Sequence, residues 1–85
     1  MNKAIKCIGN YFTESEANRL IALNLIKKGI ISQEELLKLN VNMSTLLNMV
    51  NLVPAIVNKI PSKTDYHYNL TRFGKEYLDR NLQFM

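Results

Sequence analysis

Residues 68–78 run Tyr68-Asn69-Leu70-Thr71-Arg72-Phe73-Gly74-Lys75-Glu76-Tyr77-Leu78, and the periodicity of the chain changes inside them. Up to Leu70 the pattern alternates: Tyr66, Tyr68 and Leu70 share one face, His67 and Asn69 the other, as along a strand. From Thr71 onward Phe73, Tyr77, Leu78, Leu82 and Met85 recur at helical spacing and predict an inner stripe. Thr71 stands where a side-chain oxygen can accept from the first turn of that helix. Gly74 costs a helix interior about 1 kcal/mol relative to alanine. Its missing side chain instead suits a close approach of the helix to the preceding hairpin. Lys75–Asp79 and Glu76–Arg80 are expected as solvated i,i+4 pairs on the outer side.

Working back from this stretch, residues 55–60 are rich in β-branched side chains and predict a strand, and residues 61–65 carry turn chemistry, giving a β-hairpin with residues 66–70. A helix is expected from Asn42 or Ser44 to about Leu52, where Pro54 stops it. Its apolar face is Met43, Leu46, Leu47, Val50 and Val53. Ser32-x-x-Glu35 predicts a capping box and a short helix through Leu39 that buries Leu36, Leu37 and Leu39, with Asn40 ending it and Val41 plugging the turn. Ile30 and Ile31 form a brief extended step before it. Thr13-x-x-Glu16 opens the first clear helix, whose face is Ala17, Leu20, Ile21, Leu23, Leu25 and Ile26. Lys27 and Lys28 suit its C-terminal dipole and Gly29 its left-handed stop. Residues 1–12 fit either a helical stripe (Ala4, Ile5, Ile8, Tyr11) or a short strand before Gly9-Asn10.

The 85 residues make one domain, an N-terminal segment (1–12) and a core (13–82), mainly α with a small β-hairpin. Hydrophobic residues at 47% and charged residues at 21% match a globular chain. A single cysteine, Cys7, and a single histidine, His67, allow neither an internal disulfide nor a closed zinc site, so no metal or other cofactor is expected. Cys7 is expected as a small hydrophobe. No Ser/His/Asp, Cys/His or paired-carboxylate arrangement stands out, and the glycines at 9, 29 and 74 form no phosphate loop, so an enzyme is not expected. The most apolar stretch, residues 43–60, holds Ser, Thr, Asn and Pro, which argues against a membrane span and for a cytoplasmic protein. Abundant Asn, Lys and Ile with no Trp correspond to AT-rich codons, as in a low-GC microbe or a phage.

The order helix, short step, helix, helix, strand, turn, strand, helix resembles the winged helix-turn-helix. Tyr68-x-Leu70-Thr71-x-x-Gly74-x-x-x-Leu78 is similar to the ending of many bacterial and phage regulators of that family, and the resemblance covers residues 13–82. A looser similarity of layout links the apolar helix ending in Lys27-Lys28 to the winged-helix half of phage middle-promoter activators. The resemblance implies a DNA-binding transcriptional regulator with its third helix in the major groove. Mapped onto this chain, it puts Ser44, Thr45, Asn48 and Asn51 on the reading face, and asparagine suits adenine and so an AT-rich duplex. Lys59, Lys63 and His67 would serve the wing, Arg72 and Lys75 a phosphate-facing patch, and Gln33 and Lys38 positioning contacts.

The formal net charge is +4, and its placement matters more than its size. Residues 40–58 carry no charged side chain, whereas residues 59–75 hold four basic residues against one acid. About three or four wing contacts to phosphate imply a shallow salt slope, roughly −3 to −4. Useful affinity then calls for a homodimer or a partner on DNA, and Leu82, Phe84 and Met85 offer an apolar dimerising tail. The competing reading is a protein-interaction winged helix, with Met43, Leu47, Met49 and Leu52 as an adaptable surface for a host transcription or defence protein.

Overall fold

In a computed structural model, which describes residues 13–82, the chain forms four helices and one antiparallel hairpin. The elements run α1 (Glu14–Lys27), α2 (Gln33–Lys38), α3 (Met43–Asn51), β1 (Val57–Ser62), β2 (Asp65–Leu70) and α4 (Arg72–Leu82). No helix among the described residues is long and apolar enough to cross a membrane. The alternatives for residues 1–12, and with them Cys7, lie outside the described residues, as do Phe84 and Met85 of the expected tail.

The helix boundaries follow local chemistry. Thr13 Oγ1 accepts from the Glu16 N–H and Glu16 Oε1 from the Thr13 N–H, so the first capping box closes in both directions. The Thr13 backbone donor holds the Glu16 carboxyl below its ordinary range. At α2 only half of the expected box forms: Ser32 Oγ accepts from the Glu35 N–H at 3.1 Å. The Glu34 N–H donates instead to Asp65 Oδ2 on the hairpin. Both helices end the same way. Gly29 at φ 103° and Asn40 at φ 69° sit in the left-handed region. The Ile30 N–H then reaches back to the Leu25 carbonyl and the Val41 N–H to the Leu36 carbonyl, as in a Schellman turn.

The hairpin is longer than the sequence suggests. Val57 pairs with Leu70 and Ser62 with Asp65, leaving a loop of two residues, Lys63 and Thr64. Pro61 therefore lies within β1, not in a turn. It is tolerated because the far side of β1 has no partner strand among the described residues, so the missing N–H breaks no ladder there. The other edge of β2 is occupied. The Tyr68 N–H donates to the Ile31 carbonyl at 2.9 Å, and Ser32 bridges His67. The extended step before α2 is thus stitched to the hairpin.

A core of Leu20, Leu23, Leu36, Leu46, Met49, Val57, Tyr68 and Leu78 joins all six elements, each side chain fully buried. Five expected core positions are exposed instead. Leu37, Leu39, Leu47 and Phe73 are exposed, and Val53 is 97% exposed. The six-residue α2 presents a single position, Leu36, to the core, and its Schellman turn carries Leu39 outward. On α3 the buried line runs through Leu46 and Met49, so Leu47 turns to solvent and Val53 falls past the helix end. On α4 the inward residues are Gly74, Tyr77 and Leu78, which leaves Phe73 outside. Neither expected outer pair on α4 forms: Arg72 bonds Glu76 at 3.3 Å, and Asp79 reaches Lys27 of α1 at 3.7 Å. These exposed pairs are worth a few tenths of a kcal/mol up to about 1.

Burial pushes the Tyr68 phenol above its usual range, helped by Asp65 and Tyr66, and burial does the same for Tyr77. The unfolded chain therefore gives up these protons first. The stability tied to them is complete below about pH 10 and declines as pH climbs through the raised folded values. Urea midpoints measured from pH 8 to 11 are expected to fall over the upper part of that range, and less steeply in Tyr68→Phe. Equal slopes for the two proteins would contradict this.

Candidate nucleic-acid interface

Three regions of the fold carry the residues singled out from the sequence. The first is α3. Ser44, Asn48 and Asn51 are exposed and Thr45 is half-buried, because Leu46 and Met49 hold the opposite side in the core. This polar row faces outward without any charge of its own. Met49 is fully buried and so cannot belong to an adaptable methionine surface, while Met43 and Leu52 are half-buried.

The second is the hairpin. Lys63 sits at its tip with φ 46°, a conformation that typically costs a side-chain-bearing residue about 1–2 kcal/mol. The two-residue loop imposes it and holds an exposed cation at the tip of the hairpin. Lys59 lies on the Tyr66 and Tyr68 side of the ladder, its Nζ 4.2 Å from the centre of the Tyr66 ring. His67 is half-buried, paired with Ile60 on one edge and Ser32 on the other. Asp65 caps α2 at 3.2 Å.

The third is the flanking helix surface. Arg72 is exposed and bonded to Glu76; Lys75 is exposed beside a groove of about 530 Å³ that Ile26, Ile31, Leu70 and Leu78 also line. Lys38 is exposed and pairs with Glu34 at 3.5 Å. Gln33 has a structural duty: its Oε1 accepts from the Tyr68 hydroxyl at 2.7 Å.

What orients these elements is a junction around Ile56. Its N–H donates to the Met49 carbonyl of α3 and its carbonyl accepts from the Thr71 N–H. Thr71 Oγ1 donates to the Ala55 carbonyl at 2.6 Å and accepts from the Gly74 N–H at 3.0 Å. Thr71 therefore caps α4, as expected, and also pins it to the strand entry. Gly74 packs directly on the Ile56 backbone, where a Cβ would collide with the carbonyl.

One residue was not singled out from the sequence. Arg19 of α1 lies beside Ser44, Thr45 and Asn48, in a groove of about 270 Å³ that Ser15 also lines. The uncharged α3 thus has a cation next to its N-terminal half, supplied by a different helix. Nothing local marks Arg19 in the sequence, because it is one charged position on a long amphipathic helix.

No family model matches the chain, and no curated protein or solved structure matches it either.

Proposed function

We infer that this is a winged-helix DNA-binding regulator, with α3 in the major groove and the β1–β2 hairpin as a wing on the phosphate backbone. The observation that carries the reading is the joining of Ile31 and Ser32 to β2. It turns the step between α1 and α2 into a third extended segment, and helix, extended segment, helix, helix, hairpin, helix is the winged-helix order. The outward polar row on α3 and the cation held at the hairpin tip support the DNA assignment. Ser44, Asn48 and Asn51 would meet base edges, while Lys63 and Arg72 meet phosphate. With few phosphate contacts, a homodimer on paired half-sites is part of the reading.

Fluorescence anisotropy with an AT-rich duplex at low salt tests it. Micromolar binding is expected, with a slope of log affinity on log salt of roughly −3 to −4. Lys63→Ala combined with Arg72→Ala is expected to flatten that slope by about 2. The stoichiometry is expected to be two chains per duplex. No binding at tens of micromolar, or binding indifferent to the double substitution, would sink the reading.

Exposed Leu37, Leu39, Leu47 and Val53 favour the second reading, a winged-helix module that docks on a host protein. It gains from the outcome in which the folded protein ignores DNA at low salt.

A further inference from the structure

We propose that the groove between α1 and α3 is a dedicated phosphate site, gripping one phosphodiester of the bound duplex through Arg19; this rests on the DNA-binding reading above. All five lining residues are polar (Ser15, Arg19, Ser44, Thr45 and Asn48), and the only charge among them is positive. Arg19 Nε is closed off from solvent and makes no hydrogen bond among the described residues, while the half-buried side chain lines the groove and leaves its terminal N–H groups to meet a ligand. A buried guanidinium N–H normally has a partner, and leaving it unpaired is costly. Nor does Arg19 form an ion pair with any described carboxylate. Glu16, one turn away, is engaged by the Thr13 N–H.

The surroundings favour an anion. Asn42 makes no side-chain cap to α3, and the first turn of α3 has no acidic residue. The N–H groups of Met43, Ser44 and Thr45 accordingly find no acceptor among the described residues. The two preceding helices differ, since α1 and α2 each carry two glutamates in the first turn and a side-chain cap, whereas α4 has no acidic first turn but is capped by Thr71. Ser15 and Arg19 are four residues apart on one face of α1, and the hydroxyls of Ser44 and Thr45 stand across from them. A tetrahedral oxyanion could accept from the guanidinium, from these hydroxyls and from the Asn48 amide together. Ser44 and Asn48 also belong to the row assigned to base edges. The phosphate in question is therefore the one bordering the reading helix, and Arg19 is the cation that α3 lacks.

The test is salt-dependent anisotropy on the full chain with the same AT-rich duplex. Arg19→Gln is expected to weaken binding about tenfold, as for loss of one charge-assisted contact, and to flatten the salt slope by about 0.9. Ser15→Glu puts a carboxylate into the groove at an exposed first-turn position, where acidic residues stabilise a helix. It is expected to weaken binding at least as much with an unchanged or higher melting temperature, so the test survives if Arg19→Gln unfolds. Arg80→Gln removes the same unit charge from the outside of α4 and is expected to leave the slope unaltered. The site is overturned, with the DNA reading intact, if the protein binds DNA but neither groove substitution weakens it, or if Arg80→Gln weakens it equally. A protein that binds no duplex overturns both. Inorganic phosphate that shifts the Ser44 and Thr45 amide resonances while DNA affinity ignores Arg19→Gln would assign the groove to a small phosphate and overturn the backbone contact.

Discussion

Tyr68→Ala is expected to lower stability by about 3–5 kcal/mol, the range for truncating a large buried aromatic side chain. Tyr68 is the largest of the fully buried side chains and part of the core that draws on every element. Its removal leaves a cavity between the hairpin and the helices and strands the Gln33 Oε1 that its hydroxyl now satisfies at 2.7 Å. At about 4–8 °C per kcal/mol for a domain of this size, the melting temperature should drop by more than 10 °C. Tyr68→Phe keeps the ring and loses only the hydroxyl bond, so about 1 kcal/mol is expected. Urea unfolding of the two variants checks this, and similar losses would contradict it. The consequence reaches the candidate interface, because Tyr68 joins the hairpin to α2 through its side chain and to the Ile31 step through its N–H.

Gly74→Ala carries the second large effect. Elsewhere in a helix the change would gain about 1 kcal/mol of propensity. Here the new Cβ meets the carbonyl of Ile56, which is backbone and cannot swing aside. The collision forces α4 away from the strand entry at a cost of about 3 kcal/mol, the upper part of the overpacking range. The net loss is about 2 kcal/mol, or roughly 8–16 °C in melting temperature. Gly29→Ala is the comparison. Its Cβ meets nothing, and only the positive φ of 103° opposes it, so about 1–2 kcal/mol is expected from conformation alone. A Gly74→Ala protein as stable as the parent would show that α4 can slide without loss. Because Ile56 also bonds the Met49 carbonyl, such a shift would disturb the seat of α3, and on the proposed DNA-binding function the affinity should fall with stability.

Much of this fold was legible in the residues because its punctuation is local. Thr13, Ser32, Thr71, Gly29 and Asn40 act on backbone groups within a few positions, so their hydrogen bonds follow from short-range chemistry. The alternation likewise fixes the inward side of β2 from Tyr68 to Leu70, while Tyr66 on the same face is exposed and His67 on the other is half-buried against Ser32. Distance in sequence is where legibility fails. Leu37, Leu47 and Phe73 are as apolar as their buried neighbours, and only the arrangement of the other helices leaves them outside. Gln33 looks like any surface glutamine until β2 brings the Tyr68 hydroxyl to it, 35 positions away in the chain.

The candidate site divides in the same way. From the sequence alone come the uncharged, Asn-rich third helix, the basic stretch of residues 59–75 and the special role of Gly74, since composition and periodicity are properties of consecutive residues. Tertiary structure alone places Arg19 beside Ser44, Thr45 and Asn48, ties Asp65 to the start of α2 and sets Lys63 at a hairpin tip two residues long. The physical reason is that a charge acts through space. A helix without a cation in its own sequence can still have one at its side, and which helix lends it depends on how the core packs.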